Sequence, residues 1–260
     1  MRYVVEFVCH NSGETMAESS SHDVANGEGF DGMAWRSVES DIESIQDYYD
    51  SAGSAISFGL MDRWRKKAAL ETGDDMRVIE VGSGPGSFSR YLRGKEVVLL
   101  EPNENMLRRS VRDRLVAERY VPVIGVAEHM PFIEDAFDRV MSGFSFKNLL
   151  DRNGSLLEMK RVLRKGGRAV IIDIALPDTR FRRSFMNFYM KHILYRIAFL
   201  TVPRKVMKEW GHNPWKHLSL SYMSLGDPRE LSEEMAKLGY VNARFRYLLT
   251  HGVAIICGDK

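Results

Sequence analysis

Val78-Ile-Glu-Val-Gly82-Ser-Gly84-Pro-Gly86-Ser87 is the stretch on which the fold turns. Arg77–Val81 is a short, mostly β-branched run, the pattern of a buried strand. Three glycines follow, and then a segment, 87–93, with helical character. Glycine is needed where the backbone takes a positive φ or a ligand must come close. Two ligand classes use a strand, glycine turn and helix in this way. Dinucleotides want G-x-G-x-x-G and set a pyrophosphate on the helix N-terminus. Here the spacing is G-x-G-x-G, and Ser87 holds the last place of the dinucleotide pattern. Glu80 stands two residues before Gly82. A carboxylate there repels a pyrophosphate and suits an ammonium or sulfonium group.

Working outward, Val97–Leu100 is a second strand, and Glu101 at its end is placed to accept both hydroxyls of a ribose. Pro122–Val126, Arg139–Ser142 and Ala169–Ile174 read as a third, fourth and fifth strand. Residues 38–49, 58–71, 104–117 and 153–164 read as helices. This alternation predicts a parallel sheet covered on both faces. Asp227-Pro228-x-Glu230 is a helix start and Leu238-Gly239 a stop. Ala243–Thr250 and Val253–Cys257, parted by His251-Gly252, read as a closing hairpin.

The 260 residues are 44% apolar and 28% charged, which excludes a wholly disordered chain, a collagen and a disulfide mini-scaffold. Thirty-seven basic against 35 acidic residues give +2, so the overall charge does not argue for a nucleic-acid partner. The two cysteines, Cys9 and Cys257, match no metal spacing; no metal site is expected, and a reducing compartment is. No apolar run is long enough to span a bilayer, and the first residues are too short for a signal sequence, so the expected place is the cytoplasm. Residues 1–37 are expected to form a poorly ordered arm and 38–260 one domain.

Further motifs fall in order. Ala127-Glu128-His129-Met130-Pro131-Phe132 precedes Phe137-Asp138, and Glu158-Met-Lys-Arg161 leads through Gly166-Gly167-Arg168 to the fifth strand. With the glycine loop and Glu101, these resemble the class I S-adenosylmethionine-dependent methyltransferases. Outside that common core the likeness sharpens. Tyr49-Asp50, Ser57-Phe-Gly59-Leu60 before Trp64-Arg65, Gly143-Phe144-Ser145-Phe146-Lys147-Asn148, Trp215-Lys216-His217-Leu218-x-x-Ser221 and Leu249-Thr250-x-Gly252-Val253-Ala254 resemble motifs of the ubiquinone/menaquinone biosynthesis C-methyltransferases. The resemblance runs from about residue 39 to 260. Val126, Lys147, Trp215 and His217 depart from the family's residues, and Lys147 replaces an Arg whose planar, bidentate contact a lysine cannot make.

The resemblance implies an α/β, Rossmann-like, seven-stranded and mostly parallel sheet with helices on both faces and a C-terminal antiparallel hairpin. It implies S-adenosyl-L-methionine as cofactor, with Glu80, Gly82, Ser83, Gly84, Pro85 and Gly86 by the methionine portion. Glu101 and Pro102 would meet the ribose, Ala127 and Glu128 the adenine, and Gly143 and Phe144 the sulfonium. A quinone precursor such as demethylmenaquinol is the implied acceptor. Its phenolic hydroxyl must ionise for the neighbouring carbon to attack, and a phenol of pKa ~10 is mostly protonated at neutral pH. Lys147 is the expected partner of the phenolate, His217 or a water held by Tyr49 the proton acceptor, and Asn148 a neighbour in the same loop. Two other readings stand: a methyltransferase for another small or lipid acceptor, and a non-catalytic relative that only binds donor.

Between Asp178 and Glu209 there is no acidic residue, while basic and aromatic residues alternate. The segment 178–225 reads as a lid over the active site or as a peripheral contact, through 180–208, with the inner face of a membrane. RNA is a weaker rival, and a homo-oligomer is compatible with all of this.

Overall fold

A computed structural model describes residues 48–113, 117–202, 226–248 and 251–260. The expected arm, all but the end of the helix expected at 38–49, and the motif around Trp215 and His217 lie outside those residues. So do Leu249 and Thr250.

The run Val78–Val81 is buried throughout, as a central strand covered on both sides must be. β1 (Arg77–Val81) pairs in parallel with β2 (Glu96–Glu101) on one side and β4 (Phe137–Gly143) on the other. β3 (Tyr120–Ile124) extends the sheet beyond β2, and β5 (Leu163–Ile174) beyond β4, again in parallel. β7 (Val253–Asp259) lies antiparallel against β5, and β6 (Val241–Tyr247) closes the edge antiparallel to β7. The seven strands therefore run in the order β3-β2-β1-β4-β5-β7-β6. The order reverses between β1 and β4, which opens a crevice at their C-terminal ends.

Alternate residues of each strand feed two cores. Ile79, Val98, Val140 and Ile171 pack with Leu156, Met159 and Val162 of α4 (Arg152–Val162) and with Leu231 and Met235 of α7 (Pro228–Lys237). Val78, Leu99, Met141 and Val170 pack on the opposite face with Trp64 and Ala68 of α2 (Met61–Ala69) and Leu107 of α3 (Glu104–Asp113). Each aliphatic side chain so buried contributes roughly 1.5–3 kcal/mol. The start of α7 is as its sequence implies: Asp227 Oδ1 accepts from Arg229 N–H at 3.0 Å, with Pro228 in the first turn.

Most expected bounds shift by a few residues at an end, and four local expectations change with a clear physical reason. The segment after the glycine loop forms one 3₁₀ turn, Ser89–Tyr91, where a helix over 87–93 was expected. Ser89 donates its hydroxyl to the buried Glu80, and Leu92 is already extended toward β2, so nothing sustains further turns. The third strand lies two residues earlier than Pro122–Val126. β3 is an edge strand, where Pro122 is tolerated without its N–H. The helix expected over 58–71 begins only at Met61, because Phe58 and Gly59 both take positive φ and end a separate α1 (Tyr49–Ile56). The fifth strand starts at Leu163, with residues 164–167 bulged out between the pairs Phe137–Leu163 and Arg139–Arg168.

Candidate functional site

The crevice at the strand ends is a cavity lined by Glu80 of β1, by Gly82, Ser83, Gly84 and Pro85 of the following loop, and by Glu101 and Pro102 after β2. Ala127 and Glu128 after β3, Gly143 and Phe144 at the end of β4, and Asn148 on the 3₁₀ turn Phe146–Asn148 complete the residues expected there. Gly86 is not in the wall; its N–H donates to Ser83 O at 3.0 Å and closes the turn from behind. Two glycines permit the close packing. A Cβ on Gly82, which has φ +69°, would lie 2.7 Å from Ser145 Cβ, and one on Gly143 would lie 2.3 Å from the Phe88 ring.

The rim carries the charge pattern anticipated from the sequence. Glu101 accepts N–H bonds from Gly84 at 2.8 Å and Asn103 at 3.1 Å, one on each carboxylate oxygen, so the loop itself orients the carboxylate. Glu80 is fully buried. Burial pushes its carboxyl up to about 8, against the opposing pull of the Ser89 hydrogen bond and the Arg65 charge. Arg65 on α2 also lines the cavity, with 3% of its surface exposed. Its Nη1 meets Asp50 at 3.2 Å and Asp62 at 3.3 Å, while its buried Nε has no hydrogen-bond partner. Ser83 Oγ is likewise buried and unsatisfied. Two orphaned donors in one cavity wall call for an acceptor from outside the chain.

A second cavity of about 360 Å³ adjoins the first, and Phe144, held at φ +61°, belongs to both walls. Its lining is almost wholly apolar: Ile56, Phe58, Leu60, Met61 and Trp64 face Phe185, Met186, Met190 and Leu194 across the gap. The far wall is built from α5 (Arg180–Phe188) and the π-helical turn Tyr189–Leu194, which α6 (Tyr195–Leu200) continues outside the cavity. The Tyr189 hydroxyl donates to Ile56 O and ties this wall to α1.

The expected catalytic group does not assemble as a unit. Asn148 is in the first cavity, and Tyr49 begins α1. His217 lies outside the described residues. Lys147 lines neither cavity; its side chain is buried, with Nζ donating to Phe144 O at 2.7 Å and lying 3.3 Å from Asp173 Oδ1. The sequence pairs Lys147 with a substrate oxyanion, but in the fold a buried carboxylate on β5 already holds that cation. Arg65 is the main residue that sequence reasoning passed over. It stood in the quoted Trp64-Arg65 pair, but nothing local distinguishes it from the exposed cations of the same helix.

The model of the ubiE/COQ5 methyltransferase family matches residues 32–260. The chain belongs to this family. The ubiquinone/menaquinone biosynthesis C-methyltransferase UbiE of Geobacter sulfurreducens is 30% identical over 84% of this chain and 86% of its own length. The demethylmenaquinone methyltransferase of Thermotoga maritima is 28% identical, covering 84% of this chain and 93% of its own. A SAM-dependent methyltransferase structure from Thermotoga maritima shares the fold with a TM-score of 0.57 at 16% identity, over 86% of this chain and 99% of that one.

The protein is thus an S-adenosylmethionine-dependent methyltransferase, and the first cavity fits that cofactor on its own chemistry. Carboxylates face where a cation must lie, the unsatisfied Arg65 Nε and Ser83 Oγ suit a carboxylate, and Pro102, Met106, Val126 and Leu150 supply apolar walls for a nucleoside. The methyltransferase also lacks the long helix whose N-terminal dipole would favour a pyrophosphate after the glycine loop.

Proposed function

We propose that this methyltransferase methylates a ring carbon of a lipid-tailed hydroquinone, a quinone precursor of the demethylmenaquinol kind, where its two cavities meet at Phe144. The shared Phe144 wall between a polar, carboxylate-rimmed cavity and an apolar one carries the reading. The names of the relatives, which specify ubiquinone and menaquinone synthesis, support the acceptor class.

Bound S-adenosylmethionine supplies a methyl group on a positively charged sulfur. The chain's task is alignment and exclusion of water. In this assignment Gly82, Ser83, Gly84 and Pro85 run beside the methionine portion, with Gly86 closing the turn. Glu80 faces its ammonium, and Arg65 Nε and Ser83 Oγ its carboxylate. Glu101, with Pro102, takes the ribose hydroxyls, Ala127 and Glu128 border the adenine, and Gly143 and Phe144 flank the sulfonium. Asn148, in the wall of the first cavity, orients the phenolic hydroxyl, whose proton is released to solvent as the ring carbon gains its methyl group. Lys147 acts as a positioning residue: paired to Asp173, it fixes the turn that carries Asn148. The lipid tail brings the reaction to a membrane surface.

Incubation with methyl-labelled donor and a tailed demethylated naphthoquinol tests this. Mass spectrometry should find the label on a ring carbon; label on oxygen or nitrogen, or no product, overturns the acceptor assignment.

A further inference from the structure

Helix α5 turns a row of rings to solvent. Phe181, Phe185 and Phe188 are 83%, 64% and 56% exposed, and their spacing puts them on one helix face. Phe58, 75% exposed, reaches the neighbouring wall, its ring 6.2 Å from that of Tyr189. Phe58, Phe181 and Phe185 also line the apolar cavity, so the exposed rings are the rim of its mouth. An apolar rim around an apolar cavity marks a contact surface.

The charge around it points to one partner. From Thr179 to Lys208 the chain holds eight Arg or Lys and no Asp or Glu. Arg180, Arg182 and Lys191 are exposed on the described part. Aromatic rings bordered by cations suit a surface of anionic phosphates over hydrocarbon. A second copy of the chain would set this cationic face against itself. No described helix is long and apolar enough to cross a membrane.

We propose that this face docks on an anionic lipid bilayer, with the cavity mouth against the acyl layer, so that an acceptor's tail passes from lipid to protein without crossing water. The inference rests on the lipid-tailed acceptor argued above. Phe58, Phe181, Phe185 and Phe188 enter the headgroup boundary, while Arg180 and Lys191 meet lipid phosphates.

The full chain is tested by co-sedimentation with phosphatidylglycerol/phosphatidylethanolamine vesicles, with pure phosphatidylcholine vesicles as the comparison. The variant combines Arg180→Glu, Phe188→Ser and Lys191→Glu, none of which lines either cavity. Wild type should bind the anionic vesicles at least about tenfold more tightly than the zwitterionic ones and release them at high salt. The variant should lose about tenfold or more of that binding, keep its donor affinity by calorimetry, and still methylate a short-tailed, water-soluble acceptor. Its turnover of a long-tailed acceptor in vesicles should fall by a similar factor. A wild type that stays in the supernatant, a variant that binds like wild type, or a wild-type dimer that the variant dissolves overturns the proposal. Should the acceptor assignment be wrong, neither acceptor is methylated, while vesicle binding and its loss in the variant persist.

Discussion

Glu80 has a protonation state that depends on what occupies the cavity beside it. With its pKa raised by burial to about 8, the empty site holds it largely neutral at pH 7, and a bound ammonium or sulfonium draws the proton off. Donor binding should therefore release protons, and affinity should rise with pH from 6 to 8, by up to about tenfold per unit. Calorimetry in buffers of different ionisation enthalpy measures both, and Glu80→Gln should flatten the dependence. The sign for folding is opposite. The folded pKa lies above the unfolded value of 4.5, so stability contributed through Glu80 is present below that value and is lost as pH rises toward 8. Arg65 makes a separate prediction. Its unsatisfied Nε should distinguish the donor from a decarboxylated analogue by about tenfold to hundredfold, the worth of a charged hydrogen bond. Arg65→Met should lose most of that discrimination, keeping only what Ser83 Oγ supplies, and an undiminished preference would refute the contact.

Among the elements, legibility followed how local the cause was. β1 and α7 stand where the sequence places them, because β-branched runs and an Asp-Pro cap act over a few residues. The turn after the glycine loop was misread because its shortness depends on Ser89 meeting Glu80, nine positions back. The surroundings of Lys147 were hidden from the sequence for the same kind of reason. Its partner, Asp173, sits 26 residues on, and its backbone N–H also bonds Asp173 Oδ2 at 3.0 Å. No spacing rule announces that a strand-end carboxylate will be buried under this loop. Lys147→Ala would leave that carboxylate without its cation and should cost about 3–5 kcal/mol of stability in urea unfolding. If Lys147 only positions the loop, kcat should fall in proportion to the disorder of Asn148, while the pH profile of kcat keeps its apparent pKa. A shifted pKa would instead make the ammonium the partner of the phenolate.

The whole molecule draws the first cavity, the proposed donor site, from loops at the ends of β1, β2, β3 and β4, spread over more than sixty positions of sequence yet gathered by parallel strands. That gathering explains why motifs could foresee residues that line one cavity: each strand end carries its own short signature, and the strand order does the rest. The second, apolar cavity was less readable, because α1, α2, α5 and the π-helical turn meet across the fold with no motif at the point of contact beyond apolar residues. A site assembled by the folded sheet should couple donor binding to global stability. At about a hundredfold excess over its dissociation constant, S-adenosylhomocysteine should add about 2.7 kcal/mol to unfolding, since only the folded chain binds it. For a chain of this length that corresponds to a rise in Tm of roughly 5–10 °C by differential scanning fluorimetry. NAD at the same concentration should leave Tm unchanged, because the glycine loop leads into a single 3₁₀ turn and the Glu101 carboxylate lines the cavity where a pyrophosphate would have to lie. A comparable rise with NAD would mean that this carboxylate does not select the ligand's charge, and the assignment of the first cavity would fail with it.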